Sequence, residues 1–344
     1  MSDSASNPLD AALRKLGEDL RGGSLGAALR CGPFTLLQLV GEGGVGEVFA
    51  ATRDGETDGI ARYAVKLMRP GSDGTEALAR FTRERAILDM VSHPSIPRVV
   101  ATGVNPEGRL WLATEYVHGG AITDVCDLVS APFAARVELL AGVCDAVGAA
   151  HEASVIHRDL KPSNILAAPV AVGDRGGSRG EPLFPWIIDF GIARAMSGGG
   201  PRLTPAGVAH RIGTPDYMSP EHWDDGVGGC DARSDVFSLG VVIGEVLAGV
   251  LPRTRRAGAS DSSRARKRPG AVVVPSVAFR TVMAEDAELA AKIARARGLR
   301  SADALLAALE RSVDDVVAKA LAEQPKDRFA DANALARALL AMKV

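Results

Sequence analysis

The dominant spacing of apolar residues changes at Val117-His118-Gly119-Gly120, from strand-like to helical. Before this point they fall in short alternating runs: Phe34 to Val40, Glu47 to Ala51, Ala61 to Met68, near Val99 to Ala101, and Leu110 to Ala113. A period of two predicts half-buried strands. One helical stretch interrupts them, Thr75 to Ser92, with Leu78, Phe81, Ile87, Leu88 and Val91 on or near one face and His93-Pro94 ending it. After the Gly-Gly turn the runs lengthen into helices: Ala134 to Ala153, Val236 to Val250, Val313 to Ala322 and Ala332 to Met342. Strands first and helices after predict an α+β chain of two lobes. The first is a small antiparallel-β N-lobe with one main helix, over 31–117. The second is a larger, mostly helical C-lobe, over 118–344. At 344 residues the chain can hold both lobes around a shared cleft.

Residues 1–30 read as an extension, flexible or docking, with Leu9, Leu13 and Leu16 at one-face helical spacing. Two segments read as loops, Ala171 to Pro185 and Arg253 to Gly270. The second carries Arg264-Ala265-Arg266-Lys267-Arg268. No aromatic residue interleaves with these charges, which favours a solvated loop over a nucleic-acid site.

Gly41-Glu42-Gly43-Gly44-Val45-Gly46-Glu47-Val48 has glycines at a spacing that dinucleotide-binding folds also use. A dinucleotide fingerprint must open a helix. Here the glycines run into Glu47-Val48-Phe49-Ala50, a strand pattern, so they belong at the tip of a hairpin. Glycines there let backbone N–H groups approach phosphate oxygens without a Cβ in the way. Ala64-Val65-Lys66 follows about twenty residues on, where a dinucleotide site would place an acid for the ribose.

His157-Arg158-Asp159-Leu160-Lys161-Pro162-Ser163-Asn164 and the later Asp189-Phe190-Gly191 hold two acids, an amide and a lysine at fixed offsets. Phosphoryl transfer needs such a set: a carboxylate to hold a hydroxyl, a carboxylate and an amide for Mg²⁺, and a cation near the γ-phosphate. The two strings resemble the catalytic loop and metal-binding motif of eukaryotic-like (Hanks-type) bacterial serine/threonine protein kinases, and the resemblance runs from about Phe34 to Leu340. It implies the bilobal protein-kinase fold and transfer of the γ-phosphate of ATP to Ser or Thr hydroxyls of protein substrates.

By that resemblance Gly41, Glu42, Gly43, Gly44, Val45 and Gly46 cover the phosphates, and Lys66 contacts the α- and β-phosphates. Glu84, on the helix of Arg80 to Arg85, pairs with Lys66, and Leu88 packs toward His157 and Phe190. Val40, Val48, Ala64 and Leu166 form an apolar adenine pocket. The linker Glu115-Tyr116-Val117 offers backbone groups to the adenine edge, and Thr114 takes the gatekeeper position. Asp159 accepts the substrate proton. Asn164 and Asp189 hold Mg²⁺, with Mn²⁺ as the alternative ion. Lys161 neutralises the γ-phosphate and marks the Ser/Thr class.

The resemblance extends to the segment Asp189 to Glu221. Ser219-Pro220-Glu221 stands where the family has Ala-Pro-Glu, and Thr214 matches the threonine that contacts the catalytic Asp and Lys. Glu221 pairs with Arg328, and Asp235 bonds the catalytic-loop backbone. Arg158 implies control by phosphorylation of this segment, with Thr204 the first candidate and Ser197 the second. Self-association for autophosphorylation follows.

Composition narrows the partners. The formal net charge of −2 gives no reason to expect nucleic acid. Cys31, Cys126, Cys144 and Cys230 lack C-x-x-C spacing, which favours free thiols in a reducing compartment. No secretory signal opens the chain, and Val236 to Leu251 is too short and too interrupted for a membrane span. The expected location is cytoplasmic, with no membrane partner. Two rivals are weighed: a kinase-like scaffold without catalysis and a small-molecule kinase. Lys66, Asp159, Asn164 and Asp189 count against the first. The Gly-Thr-Pro-x-Tyr and Ser-Pro-Glu segments count against the second. A small Thr114 predicts a pocket open to bulky inhibitors behind the adenine. Thr114→Met should block such compounds while sparing ATP, read as inhibition curves for the two forms; equal sensitivity refutes it.

Overall fold

Alternating residues such as Phe49/Ala51 and Val65/Leu67 can bury one side of a ribbon only if strands pair along their lengths. The computed structural model shows that pairing. It describes residues 29–43, 46–56, 58–69, 91–169, 183–190, 215–223, 230–254 and 270–343. These fall into two compact units. One holds the described residues up to 118 except 93–96; the other holds 93–96 and those from 119 onward.

The first unit is an antiparallel sheet in the order β1-β2-β3-β4-β6-β5. Its strands are β1 (Arg30–Cys31), β2 (Phe34–Glu42), β3 (Gly46–Arg53), β4 (Tyr63–Met68), β5 (Val99–Val104) and β6 (Leu110–Glu115). One face carries an apolar core of Cys31, Phe34, Leu36, Phe49, Val65 and Trp111, with Tyr63 packed against it. Phe34 meets Tyr63 and Trp111 edge-on, at ring centroids 5.1 and 5.7 Å. The indole packs on Gly103, where a Cβ would come within 2.5 Å of the ring, so any side chain there would displace it. The strand β1, unsuspected in the sequence, brings Cys31 into this core, where burial pushes its thiol up to about 11. The other face carries two cross-strand rows. Val48 pairs with Lys66 and Lys66 with Leu112; Ala50 pairs with Ala64 and Ala64 with Thr114.

The second unit begins with strand β7 (Gly120–Ala121), not directly with a helix. β7 pairs with β8 (Ile165–Pro169), which pairs with β9 (Leu183–Ile187). β9 corrects the loop expected through Pro185. The strand is at the edge of its sheet, where a residue without an N–H is tolerated, and Pro185 packs on Gly142. The helices are α1 (Ile122–Leu128), α2 (Phe133–Glu152), α3 (Pro220–Trp223), α4 (Ala232–Ala248), α5 (Pro275–Glu285), α6 (Ala287–Arg295), α7 (Ala302–Ala308), α8 (Asp314–Ala320) and α9 (Ala332–Leu340). A π-helical turn, Leu309–Val313, joins α7 to α8. Of these, α1, α3 and the run α5 to α7 were not anticipated.

α4 is apolar on nearly every side because it is buried on nearly every side. Asp231 caps its first turn through the N–H of Arg233, and Gly249 ends it in the left-handed region at φ 73°. No described helix is long and apolar enough to cross a membrane.

Two arginines, Arg136 on α2 and Arg297 after α6, are almost wholly buried. The Arg136 guanidinium donates to the carbonyls of Cys126, Ala131, Val246 and Ala296. Arg297 donates to those of Val246, Leu247 and Ile293. Most of these carbonyls lie at the C-terminal ends of α1, α4 and α6, where the helix dipole favours a cation. Asp127 lies 2.8 Å from Arg136 and 3.4 Å from Arg297. Burial and the neighbouring Arg136 lower Arg297 to about 10.

Trp111→Ala should destabilise the first unit by about 3–5 kcal/mol, the usual loss for a fully buried aromatic. Urea denaturation followed by fluorescence checks this; an unchanged midpoint would show that the indole is not the core's anchor.

Candidate functional site

The motif residues divide between the two units. In the first unit the glycine run sits at a hairpin tip, as its strand flanks required. Gly41 pairs with Val48, Glu42 with Glu47, and Gly43 N–H bonds Gly46 O at 2.9 Å. Gly46 accepts no side chain, because a Cβ would lie 2.3 Å from the Leu67 carbonyl oxygen. The rows of the sheet put Val48, Ala64, Lys66 and Thr114 on one face. Val40 is 40 % exposed near the end of β2. In the linker, Glu115 N–H goes to Arg98 O and Tyr116 N–H to Arg62 O. Glu115 can therefore offer only its carbonyl to a ligand, and its carboxylate is held by Arg98.

In the second unit the loop 157–164 is fastened from below. Asp235 on α4 is completely buried, and its two oxygens take the backbone N–H groups of His157, at 2.7 Å, and Arg158, at 2.8 Å. His151 adds a third bond, from Nε2 to Oδ2 at 2.9 Å. Burial opposes ionisation of Asp235, but these donors and the nearby imidazoles outweigh it and hold the carboxyl below its usual range. Arg158 is thereby kept in the left-handed region, at φ 67°. Such a conformation persists in a non-glycine residue only when its surroundings over-determine it.

The His157 ring joins this loop to Ile188, the residue that follows β9. Its Nε2 is 2.9 Å from the Ile188 carbonyl, which can only accept, so Nε2 carries the proton. Nδ1 then accepts from Asp159 N–H at 3.3 Å. Phe190 packs on the ring at a centroid distance of 4.7 Å.

Asp159 is held between two donors. Lys161 Nζ lies 2.8 Å from its Oδ2, and Asn164 Nδ2 lies 3.1 Å from the same oxygen and 2.7 Å from the Asp159 carbonyl. Only the amide nitrogen can donate to a carbonyl, so Asn164 keeps its own oxygen, Oδ1, as a donor atom for a cation. The β8–β9 ladder pairs Ile165 with Ile187, and Ile188 N–H bonds Asn164 O at 3.0 Å. This pairing brings Asp189, at φ 63°, next to Asn164 despite their separation in sequence. Asn164 and Asp189 both carry oxygen donors of the hard kind that suits Mg²⁺. Leu166 follows on β8, paired with Trp186.

The ion pair expected between Glu221 and Arg328 is present and buried, with both guanidinium nitrogens 2.7 Å from separate carboxylate oxygens. Ser234 on α4 donates to Glu221 Oε1 at 2.8 Å. Burial pushes the Glu221 carboxyl up; the Arg328 and Ser234 bonds outweigh it and lower the group from 4.5 to about 2. A further contact was missed in the sequence. Tyr217 OH lies 2.6 Å from Glu245 on α4, and burial pushes both groups up. Ser219 is buried, and its hydroxyl has no partner among the described residues. Gly44, Val45, Glu84, Leu88, Ser197, Thr204 and Thr214 lie outside the described residues, as do most of the 253–270 loop and residues 1–28.

A family model described as protein kinase domain matches residues 34–340. Similar proteins include serine/threonine-protein kinase pkn3 of Myxococcus xanthus, 34 % identical over 70 % of this chain and 43 % of its own length. Serine/threonine-protein kinase Pkn1 of the same organism is 32 % identical over 90 % of this chain and 38 % of its own. Serine/threonine-protein kinase PknB of Mycobacterium tuberculosis is 34 % identical over 86 % of this chain and 40 % of its own. The chain spans less than half the length of these relatives.

The Glu221–Arg328 pair has a pH signature. A carboxylate with a lowered folded-state value stabilises the fold above pH 4.5 and loses that contribution as pH falls toward 2. The loss should be on the order of 3 kcal/mol, at 1.36 kcal/mol per unit. Glu221→Gln should lower stability at neutral pH and flatten this acid limb, measured by urea denaturation at stepped pH. An acid limb as steep as wild type would remove the pair from the account.

Proposed function

The chain belongs to the protein kinase family, and from that premise we propose that it is a serine/threonine protein kinase, transferring the γ-phosphate of ATP to protein hydroxyls. The observation that carries this reading is Asp159, whose carboxylate is steadied by Lys161 and Asn164 on a loop held by Asp235. Such a group can accept a hydrogen bond from a Ser or Thr hydroxyl, orient its oxygen for in-line attack and take its proton. Lys161, already beside Asp159, supplies positive charge where the γ-phosphoryl group departs. Asn164 Oδ1 and the Asp189 carboxylate would hold Mg²⁺, which would offset the charge of the phosphoryl group. On the first unit, Lys66 reaches the α- and β-phosphates, the glycine hairpin covers them with backbone N–H groups, and Ala64 and Val48 lie against the adenine. Val117 N–H and Glu115 C=O meet its edge.

The finer parts of the reading follow. Lys161 within Asp-Leu-Lys-Pro favours Ser/Thr acceptors over Tyr. Arg158 offers a dock for a phosphate added at Thr204, so the chain phosphorylates a second copy of itself there. Residues 31–344 act as the kinase domain and 1–30 as an extension. Cytoplasmic residence is supported by Cys31, Cys126, Cys144 and Cys230, all free thiols.

Purified protein with radiolabelled ATP, Mg²⁺ and a general acceptor protein tests the reading. Wild type should label itself and the acceptor on Ser and Thr. Asp159→Asn and Lys66→Met should each lower the rate by about a hundredfold or more, the scale of a lost catalytic base or phosphate contact. Labelling that survives Asp159→Asn would sink the assignment. Nucleotide binding without any transfer would instead mean a scaffold.

A further inference from the structure

Two acids face each other at the mouth of the glycine hairpin. Glu42 and Glu47 are direct cross-strand partners, so their side chains leave the same side of the sheet. Like charges placed this way repel each other, and they flank glycines expected to take an anion. Each acid has an arginine. Arg69 lies 3.3 Å from Glu42 in an exposed pair. Arg109 lies 2.7 Å from Glu47 in a largely covered one.

Arg109 is the better built of the two. Its Nε donates to Met68 O at 2.7 Å, and an Nη2 hydrogen points to Leu67 O at 3.4 Å. Its backbone is clamped by the buried Asn105. Arg109 N–H bonds Asn105 Oδ1 at 2.8 Å, and Asn105 N–H bonds Arg109 O at 2.9 Å. The Leu67 carbonyl is also the group against which Gly46 packs, and it follows Lys66 directly on β4. One guanidinium therefore touches the carbonyls beyond Lys66 and the acid beside the last glycine.

We propose that Arg109 is a positioning residue for nucleotide binding: anchored on the carbonyls that end the strand carrying Lys66, it neutralises Glu47 beside the last glycine of the hairpin. This rests on the kinase reading given above. Without Arg109, Glu47 would stand unpaired opposite Glu42, on the face of the hairpin away from Lys66, and the local potential would turn against a triphosphate.

The test is an ATP titration of wild type, Arg109→Gln, Glu47→Gln and the double variant, with melting curves for all four and binding of a fluorescent ATP analogue with Mg²⁺. Arg109→Gln should raise KM for ATP, and Kd for the analogue, about three- to fivefold, the scale of one partly screened ion pair, with kcat at saturating ATP unchanged. Glu47→Gln alone should behave as wild type. The double variant should recover wild-type KM, because no unpaired acid remains. A packing role alone would leave the double variant as impaired as Arg109→Gln. If Arg109→Gln melts too early to assay, Arg109→Lys keeps the charge and should hold KM near wild type. Unchanged KM in Arg109→Gln, no recovery in the double variant, or a raised KM in Arg109→Lys overturns the proposal. If wild type transfers phosphate and Arg109→Gln matches it, only this proposal fails. If wild type neither binds the analogue nor transfers phosphate, the kinase reading fails first.

Discussion

A buried carboxylate must be fully bonded or it costs several kcal/mol, and Asp235 meets that demand with the backbone of the very loop that carries Asp159. Once its two oxygens take the N–H groups of His157 and Arg158, Arg158 has to turn through the left-handed region. The His157 ring is then aimed at Ile188, and Asp159 is aimed back over Lys161 and Asn164. Little of this geometry comes from local propensity. A loop with a non-glycine residue at positive φ would relax if the carboxylate beneath it were removed.

α4 does more than fill the core. Its Ser234 and Ser238 reach Glu221 and the Tyr217 carbonyl, and its Glu245 reaches the Tyr217 hydroxyl. Asp235, between the two serines, holds the loop 157–164. A single buried helix therefore fixes both the loop that would hold the acceptor hydroxyl and the segment that ends in Ser219-Pro220-Glu221. Every other side of it is free to be apolar, which is why its sequence reads like a membrane span cut short.

Much of this was legible in the residues alone, for physical reasons. The strands β2 and β4 were visible because burial alternates along part of each, and β6 because a short apolar run buried on both faces also reads as a strand. The glycine hairpin was visible because its flanks are strand-like. The Glu221–Arg328 and Asp235 contacts were legible only through the family resemblance, since residues so far apart leave no local trace. β9 was hidden by a proline that an edge strand tolerates. α5 to α7 were overlooked although Pro275, Asp286 and Ser301 mark their starts. The Arg109–Glu47 pairing had no sequence signal, because it depends on which strand ends meet.

The buried guanidiniums of Arg136 and Arg297 have a consequence for how the second unit comes together. Each buried guanidinium is satisfied only when carbonyls from separate helix ends have all arrived. A half-assembled corner would leave two like charges side by side with Asp127 alone to offset them. The junction of α1, α2, α4 and α6 should therefore form in a single concerted step, with no stable partial version to be trapped on the way.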